Sequence, residues 1–272
     1  MSKLKINVII DGQEYTQEQL TRYEYERTLH MLHEMRYLGA TIMDNNKILS
    51  HEDINWLDPE DAKRISIDLR YELGEEGILT LFKDVLTDSD RRWKEFNKEP
   101  IKEQGVQSCQ IDLIVSGLTV KELLPSQEDG DKNGALFNLE DDRRAGLAIF
   151  PEHYLARGTT KGVCGMENFG MFGEPTYVTG DIAADIPDYL PFKRDPDYPV
   201  CGAGEMRLQS DGTPIHVGAI HQYRPTENGF FLKSTFFCPK NAPKSVADGH
   251  KLHFAIELTN LIRATYNRLN KK

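Results

Sequence analysis

The C-terminal segment of the chain constrains the fold most. Over residues 245–269, apolar and weakly polar residues recur at helical spacing and nearly complete the circuit of a helix: Leu252, Phe254, Ala255, Leu258, Thr259, Leu261, Ile262, Tyr266 and Leu269. A helix that is apolar on most sides is buried in a core, not laid on a surface. The rest of the chain must therefore enclose a long helix.

Short apolar stretches with intervening turns precede this helix. Strands are predicted over 145–150, 198–208, 215–223 and 230–237, and the last three are separated by Asp211-Gly212 and by the turn at 225–229. Strands joined by such short turns pair as an antiparallel meander. The pattern predicts an α+β fold of the helix-grip type (Bet v 1-like). In such a fold a curved antiparallel sheet wraps the last helix and leaves a cavity between them.

The first hundred residues differ in composition: they are rich in charged residues and poor in turn-forming residues. After a short strand over 3–10, a helix is predicted from Thr16, an N-cap followed by Gln19 in the capping-box position. A second helix starts at Asp58-Pro59 and ends at Gly74, and a third covers 75–97. The polar loop at 127–134 is the expected boundary between a mainly helical region, 1–134, and a helix-grip domain, 135–272.

Charge and composition exclude several classes of function. The 43 acidic and 33 basic residues give a net charge of −10, a poor basis for binding nucleic acid. No apolar run approaches the ~20 residues of a membrane-spanning helix, and the first residues lack the pattern of a signal peptide. The four cysteines are scattered without a C-x-x-C pair. We therefore expect a protein of the reducing cytoplasm without a disulfide framework.

Two groups of side chains indicate chemistry. His253 and Glu257 are four residues apart on the last helix, a spacing that can offer two ligands to one metal ion or form a simple helix pair. His250 lies near the same face and is an alternative ligand. His221 and Tyr223 share one face of a predicted strand, so they point into the cavity if that face is concave, and otherwise His221 is a core histidine.

Glu167 is a third point of interest because it lies among Gly, Met and Phe residues. An unpaired carboxylate there would be costly to bury. Without a metal it needs a cationic partner, and four arginines are available to supply one: Arg143, Arg144, Arg157 and Arg207.

The sequence resembles the 2,4-diacetylphloroglucinol hydrolase and phloretin hydrolase family over roughly residues 145–272. The resemblance rests on Ile-His-Gln-Tyr-Arg-Pro-Thr-Glu-Asn-Gly at 220–229, on Lys-Ser-Thr-Phe-Phe at 233–237, and on the H-x-x-x-E of the last helix. It implies that the metal ligands are His153, after Pro151, and Glu167, before Gly170, together with His253 and Glu257.

The resemblance also implies a function. It suggests a zinc enzyme, a homodimer, that hydrolyses the carbon–carbon bond between a phloroglucinol-type polyphenol ring and an acyl carbonyl. His221 is implied to bind the phenolic oxygen or relay a proton, and Tyr154 and Tyr223 to bind a phenol or an oxyanion. Two other interpretations stay open. One is a non-enzymatic helix-grip protein that binds an apolar ligand, and the other is a metal enzyme with another reaction, such as a polyketide cyclase or decarboxylase.

Overall fold

A computed structural model describes residues 3–124, 143–158, 162–170, 175–183 and 185–270. The helices are α1 (Gln17–Tyr37), α2 (His51–Asn55), α3 (Pro59–Leu81), α4 (Lys83–Phe96), α5 (Ile101–Gln104), α6 (Val120–Leu123), α7 (Arg143–Ile149) and α8 (Lys244–Asn270). The strands are β1 (Lys5–Ile10), β2 (Gln13–Tyr15), β3 (Met43–Asp44), β4 (Lys47–Ile48), β5 (Val106–Ser116), β6 (His153–Gly158), β7 (Gly162–Asn168), β8 (Pro175–Ala183), β9 (Val200–Leu208), β10 (Pro214–Thr226) and β11 (Gly229–Pro239).

One large antiparallel sheet organises the molecule. Its strand order is β2-β1-β5-β11-β10-β9-β8-β7-β6, and every neighbouring pair is antiparallel. The predicted meander is confirmed over β9, β10 and β11, where His221 of β10 lies opposite Ser234 of β11 and Gly202 of β9. Strands β6, β7 and β8 continue it beyond the prediction. The sheet also includes β1, β2 and β5 from the region before residue 135, and the predicted boundary at 127–134 lies outside the described residues.

Two of the three apolar cores among the described residues pack helices against the sheet. The larger core packs α8 against β1, β5, β10 and β11, and Phe230, Phe236, Ala255 and Ile262 are among its buried side chains. The second core packs α1 and α3 against the strands at the other edge of the sheet. The long C-terminal helix is therefore buried, as its sequence predicts. Within the described part of the chain, no helix is long and apolar enough to cross a membrane.

The N-terminal helices begin and end where their local signals place them. Thr16 and Gln19 form the predicted capping box of α1, and Asp58 caps α3 at Pro59. Gly74, with φ +65°, interrupts α3 at the predicted break because glycine adopts this left-handed backbone without strain. The predicted third helix breaks once more at Phe82, where α3 ends and α4 begins.

One predicted element is wrong: the apolar run 145–150 is not a strand, because residues Arg143–Ile149 form the helix α7. A short continuous apolar run carries no periodicity that separates a buried strand from a buried helix. Tertiary contacts decide the outcome here. The buried guanidinium of Arg70 in α3 donates hydrogen bonds to the carbonyl oxygens of Leu147 and Phe150, at the end of the helical turn.

Candidate metal centre

Four ionisable side chains from three elements converge at the edge of the cavity between sheet and helix. They are His153 of β6, Glu167 of β7, and His253 and Glu257 of α8. One nitrogen or oxygen atom from each lies within 4.8 Å of those of the other three. His153 lies directly opposite Glu167 in the β6–β7 pair, so the two share a face of the sheet. The i,i+4 spacing on α8 supplies the other two.

A β-bulge gives His153 its orientation. The register of β6 against β7 shifts between His153, which faces Glu167, and Leu155, which faces Met166. Tyr154 is the extra residue. Because of the bulge, His153 faces the cavity while Tyr154 and Leu155 both pack into the core beneath α1 and α3.

The four ligand atoms are close but do not hydrogen-bond to one another. Nε2 of His153 lies 2.6 Å from Oε1 of Glu257 and 3.2 Å from Oε2 of Glu167. Nε2 of His253 lies 2.8 Å from Oε1 of Glu257 and 3.1 Å from Oε2 of Glu167. Yet neither Nε2 atom, nor Oε1 of Glu257, has a correctly oriented hydrogen-bond partner among the described residues. The four atoms are nevertheless close enough together to bind one cation.

The pKa shifts of the four side chains also indicate a site for positive charge. Burial alone lowers the pKa of an imidazole, but the two carboxylates outweigh it and raise the pKa of His153 to about 9 and that of His253 to about 10. Burial would raise the pKa of Glu257, yet the two imidazoles lower it to about 2, and they hold the pKa of Glu167 well below its usual range. The site therefore favours two compensating positive charges, which a divalent cation can supply.

The donor set fits a first-row divalent ion. Two imidazole nitrogens and two carboxylate oxygens suit zinc and several of its neighbours in the first transition row. Three of the four arginines considered as partners of Glu167 are engaged elsewhere: Arg143 with the carbonyl oxygen of Tyr71, Arg144 with Asp68, and Arg157 with Glu75. The fourth, Arg207, is an exposed residue of β9. Glu167 instead lies against the two imidazoles, where a metal would be.

His250 is not part of the cluster, although it is on the same helix. Its ring stacks on Phe236 at 3.9 Å and on His253 at 4.2 Å between centroids. Burial and the neighbouring imidazole hold its pKa well below the usual value. The structure thus brings His253, and not His250, to the other three ligands.

A cavity of about 390 Å³ opens beside the cluster, within the size range of small-molecule sites. His153, Glu167 and Glu257 line one part of it. Much of the remaining wall is apolar and includes Phe150, Phe169, Val178, Met206, Phe236 and Phe254. The site can therefore hold an apolar or aromatic molecule in contact with the metal ligands.

The predicted face of β10 lines the same cavity. Val217, Ala219, His221 and Tyr223 all contribute to its wall. Nδ1 of His221 lies 2.8 Å from Oγ of Ser234, and burial lowers the pKa of His221 to about 4, so the imidazole is neutral near pH 7. Burial raises the pKa of Tyr223, whose hydroxyl stays protonated.

Tyr154 is placed elsewhere. It is fully buried on the other side of the β6–β7 edge, against Phe82, and its hydroxyl donates to a carboxylate oxygen of Glu34 and accepts from Nδ2 of Asn168. The structure does not bring it to the cavity wall that His221 and Tyr223 share.

Three residues that were not predicted from the sequence contact the ligand histidines or their partners. Oε2 of Glu152 lies 2.5 Å from Nδ1 of His253, and Arg27 of α1 forms an ion pair with Glu152. Arg70 donates to the carbonyl oxygen of His153 at 2.6 Å. A signal existed for Arg27, which occupies the buried face of α1 between Tyr23 and Met31, where a charged residue needs a partner.

Comparisons with known proteins do not extend this description. No family model matches the chain, and no curated protein matches it. Among solved structures, the chain aligns with the C-terminal domain of the Bacillus licheniformis BlaR penicillin-receptor at 8% sequence identity and a TM-score of 0.15. That alignment covers 94% of this chain and 90% of the other. So low a TM-score carries no argument about fold or function.

Proposed function

We propose that this protein is a zinc-dependent hydrolase that cleaves the carbon–carbon bond between a phloroglucinol-type ring and its acyl carbonyl, with phloretin as the leading substrate. One observation supports the proposal above the others: a cluster of two histidines and two glutamates lies at an apolar cavity, and three of the four, His153, Glu167 and Glu257, line it together with His221. The family resemblance of residues 145–272 supplies the reaction and the substrate.

The proposal includes the architecture around the site. We infer a helix-grip arrangement, in which the antiparallel sheet and α8 enclose the cavity from two sides. Its support is the packing of α8 against the sheet and the lining of the cavity by β10 and by α8. The resemblance further suggests a homodimer, and four unpaired cysteines fit a reducing cytoplasm.

The residues that would hold the metal are His153, Glu167, His253 and Glu257. A zinc ion there would act as a Lewis acid toward an oxygen of the substrate. Its two positive charges match the two ligand carboxylates, so the loaded site is neutral and tolerates burial beside an apolar cavity.

Residues of the cavity wall would carry out the proton transfer and bind the oxygens of the substrate. The ring carbon that bears the acyl group must accept a proton, after which water adds to the acyl carbonyl and the ring leaves as a stabilised enolate. His221 is neutral and Ser234 occupies its Nδ1, so Nε2 is the atom that would bind the phenolic oxygen or pass the proton. The protonated hydroxyl of Tyr223 would donate a hydrogen bond to a substrate oxygen. The aromatic walls keep bulk water from the ring.

A second candidate function is a non-enzymatic protein that binds an aromatic ligand, which the apolar lining of the cavity favours. The test of both is incubation of the purified protein with phloretin, followed by chromatography for phloroglucinol and the phenylpropionic acid. Elemental analysis of the same preparation measures bound zinc. We expect about one zinc ion per chain and both products, and we expect a chelator to abolish product formation. Phloretin bound but intact in zinc-loaded protein would exclude the proposed reaction.

A further inference from the structure

An outer layer of charge connects the N-terminal helix α1 to the metal ligands. Arg27 is 2% exposed and forms an ion pair with Oε1 of Glu152, which is 1% exposed. The other carboxylate oxygen of Glu152 lies 2.5 Å from Nδ1 of His253. The three side chains therefore form a buried chain of contacts: Arg27 pairs with Glu152, and Glu152 contacts His253.

We propose that Glu152 and Arg27 are positioning residues of the metal centre, and that α1 is for this reason a functional part of the site. The inference rests on the metal-binding part of the proposed function and is independent of the substrate. Neither residue touches the space between the four ligands. Both act through His253.

The first step of the argument concerns the tautomer of His253. A carboxylate accepts hydrogen bonds only, so Nδ1 of His253 must carry the proton that it donates to Glu152. In a neutral imidazole the lone pair is then on Nε2, the atom that faces Glu167 and Glu257. Carboxylate partners of this kind fix the orientation of ligand histidines and raise their basicity.

The second step concerns the charge of Glu152. Its carboxylate is buried at Nδ1 of His253, across the ring from the two ligand carboxylates at Nε2, and a third unneutralised negative charge there would be expensive. Arg27 neutralises it, which leaves the two carboxylates of Glu167 and Glu257 to balance a divalent ion. Arg27 thus holds the Glu152 carboxylate in place against Nδ1 of His253.

The test measures metal affinity by competition with a chromogenic chelator in the full-length protein. We expect Glu152→Gln to weaken zinc binding by about 10–100-fold, the usual cost of losing such a partner, while saturation still reaches one ion per chain. Glu34→Gln is the matched control. It alters a carboxylate on α1 that is also largely buried but is hydrogen-bonded to Tyr154 and not to a ligand, and we expect its zinc affinity to equal that of the unmodified protein.

A double-mutant cycle tests the order of action. Because Arg27 acts through Glu152, Arg27→Met should weaken binding by itself, but adding it to Glu152→Gln should cause little further loss. The visible spectrum of Co²⁺-loaded protein should change in Glu152→Gln and stay the same in Glu34→Gln. Should Arg27→Met fail to fold, the nearly isosteric Glu152→Gln and its spectrum still decide the question.

The outcomes separate the two proposals. If the unmodified protein binds no divalent ion, the metal-binding part of the proposed function fails. If it binds zinc and Glu152→Gln binds with the same affinity and the same Co²⁺ spectrum, the positioning role is refuted and the metal site stands.

Discussion

Replacing Arg70 with methionine tests how the segment carrying His153 is held. Arg70 of α3 is 2% exposed, and its guanidinium donates to the carbonyl oxygens of Leu147, Phe150 and His153 at 2.6–3.2 Å. These three carbonyls span the end of α7 and the start of β6. Methionine fills a similar length of space but donates no hydrogen bond, so the substitution removes the clamp and leaves the packing nearly intact.

The size of the effect follows from these contacts. A buried carbonyl left short of its donor costs about 1–3 kcal/mol. The carbonyl of Phe150 keeps the amide of His153 as a second donor, so the loss falls mainly on Leu147 and His153. Burial lowers the pKa of Arg70 to about 10 because the buried guanidinium is costly to desolvate. Replacing it with an uncharged side chain removes that cost, which offsets part of the stability lost with the hydrogen bonds. We expect Arg70→Met to lower the free energy of unfolding by about 3 kcal/mol.

Urea unfolding of the metal-free protein measures this change as a shift of the midpoint at constant slope. Arg22→Met is the control. It removes an arginine from an exposed i,i+4 pair with Glu26, and it should change stability by no more than about 0.5 kcal/mol. Zinc affinity should fall in Arg70→Met as well, because the carbonyl of His153 is one of the clamped atoms. Unfolding midpoints that coincide for the two variants would refute the clamp.

The other predictions concern the metal ligands and their neighbours. His221→Ala should keep its zinc and lose ~10²-fold in turnover on phloretin, whereas His253→Ala should lose both metal and activity; loss of zinc in His221→Ala would make that residue a ligand. Because His153 and His253 have pKa values of about 9 and about 10 without metal, both are protonated near neutral pH. Zinc binding should therefore release about two protons and tighten as pH rises toward those values, as calorimetry in buffers of different ionisation enthalpy will measure. A Cβ at Gly165 would lie only 3.0 Å from the backbone carbonyl oxygen of Leu155, next to the bulge that orients His153. Gly165→Ala should therefore weaken zinc binding by about tenfold, while Gly202→Ala, which meets only a side-chain methyl at 3.8 Å, should not; equal affinities would contradict this.

The elements that the sequence predicted correctly carry strong local signals. The capping box at Thr16, the proline at the start of α3 and the apolar circuit of α8 each act within a few residues. The strand alternation that placed His221 and Tyr223 on the cavity wall is also local. Each of these signals depends only on residues close in the chain, and in each case the tertiary structure keeps the predicted local conformation.

The parts that were missed depend on contacts between distant residues. The run 145–150 became a helix whose end is held by Arg70 of α3, and no pattern within the run records that contact. Pairing of β5 with β11 joins segments far apart in sequence. The bulge at Tyr154 reverses the side that alternation alone would assign to Leu155. Helical spacing alone indicated His253 and Glu257 as a possible ligand pair, and only the family resemblance joined His153 and Glu167 to them as ligands.

The cost of the cluster separates a metal site from a simple binding cavity. Four ionisable groups are buried together beside an apolar wall, and replacing buried ionic groups with apolar residues of similar size is often neutral or stabilising. A cavity that only bound an aromatic ligand would gain nothing from them. The Glu152 carboxylate and its Arg27 partner add two more buried charges, and Glu152 contacts Nδ1 of His253. An ion held by the four side chains would account for so much buried charge, because its binding energy would offset the desolvation of its ligands.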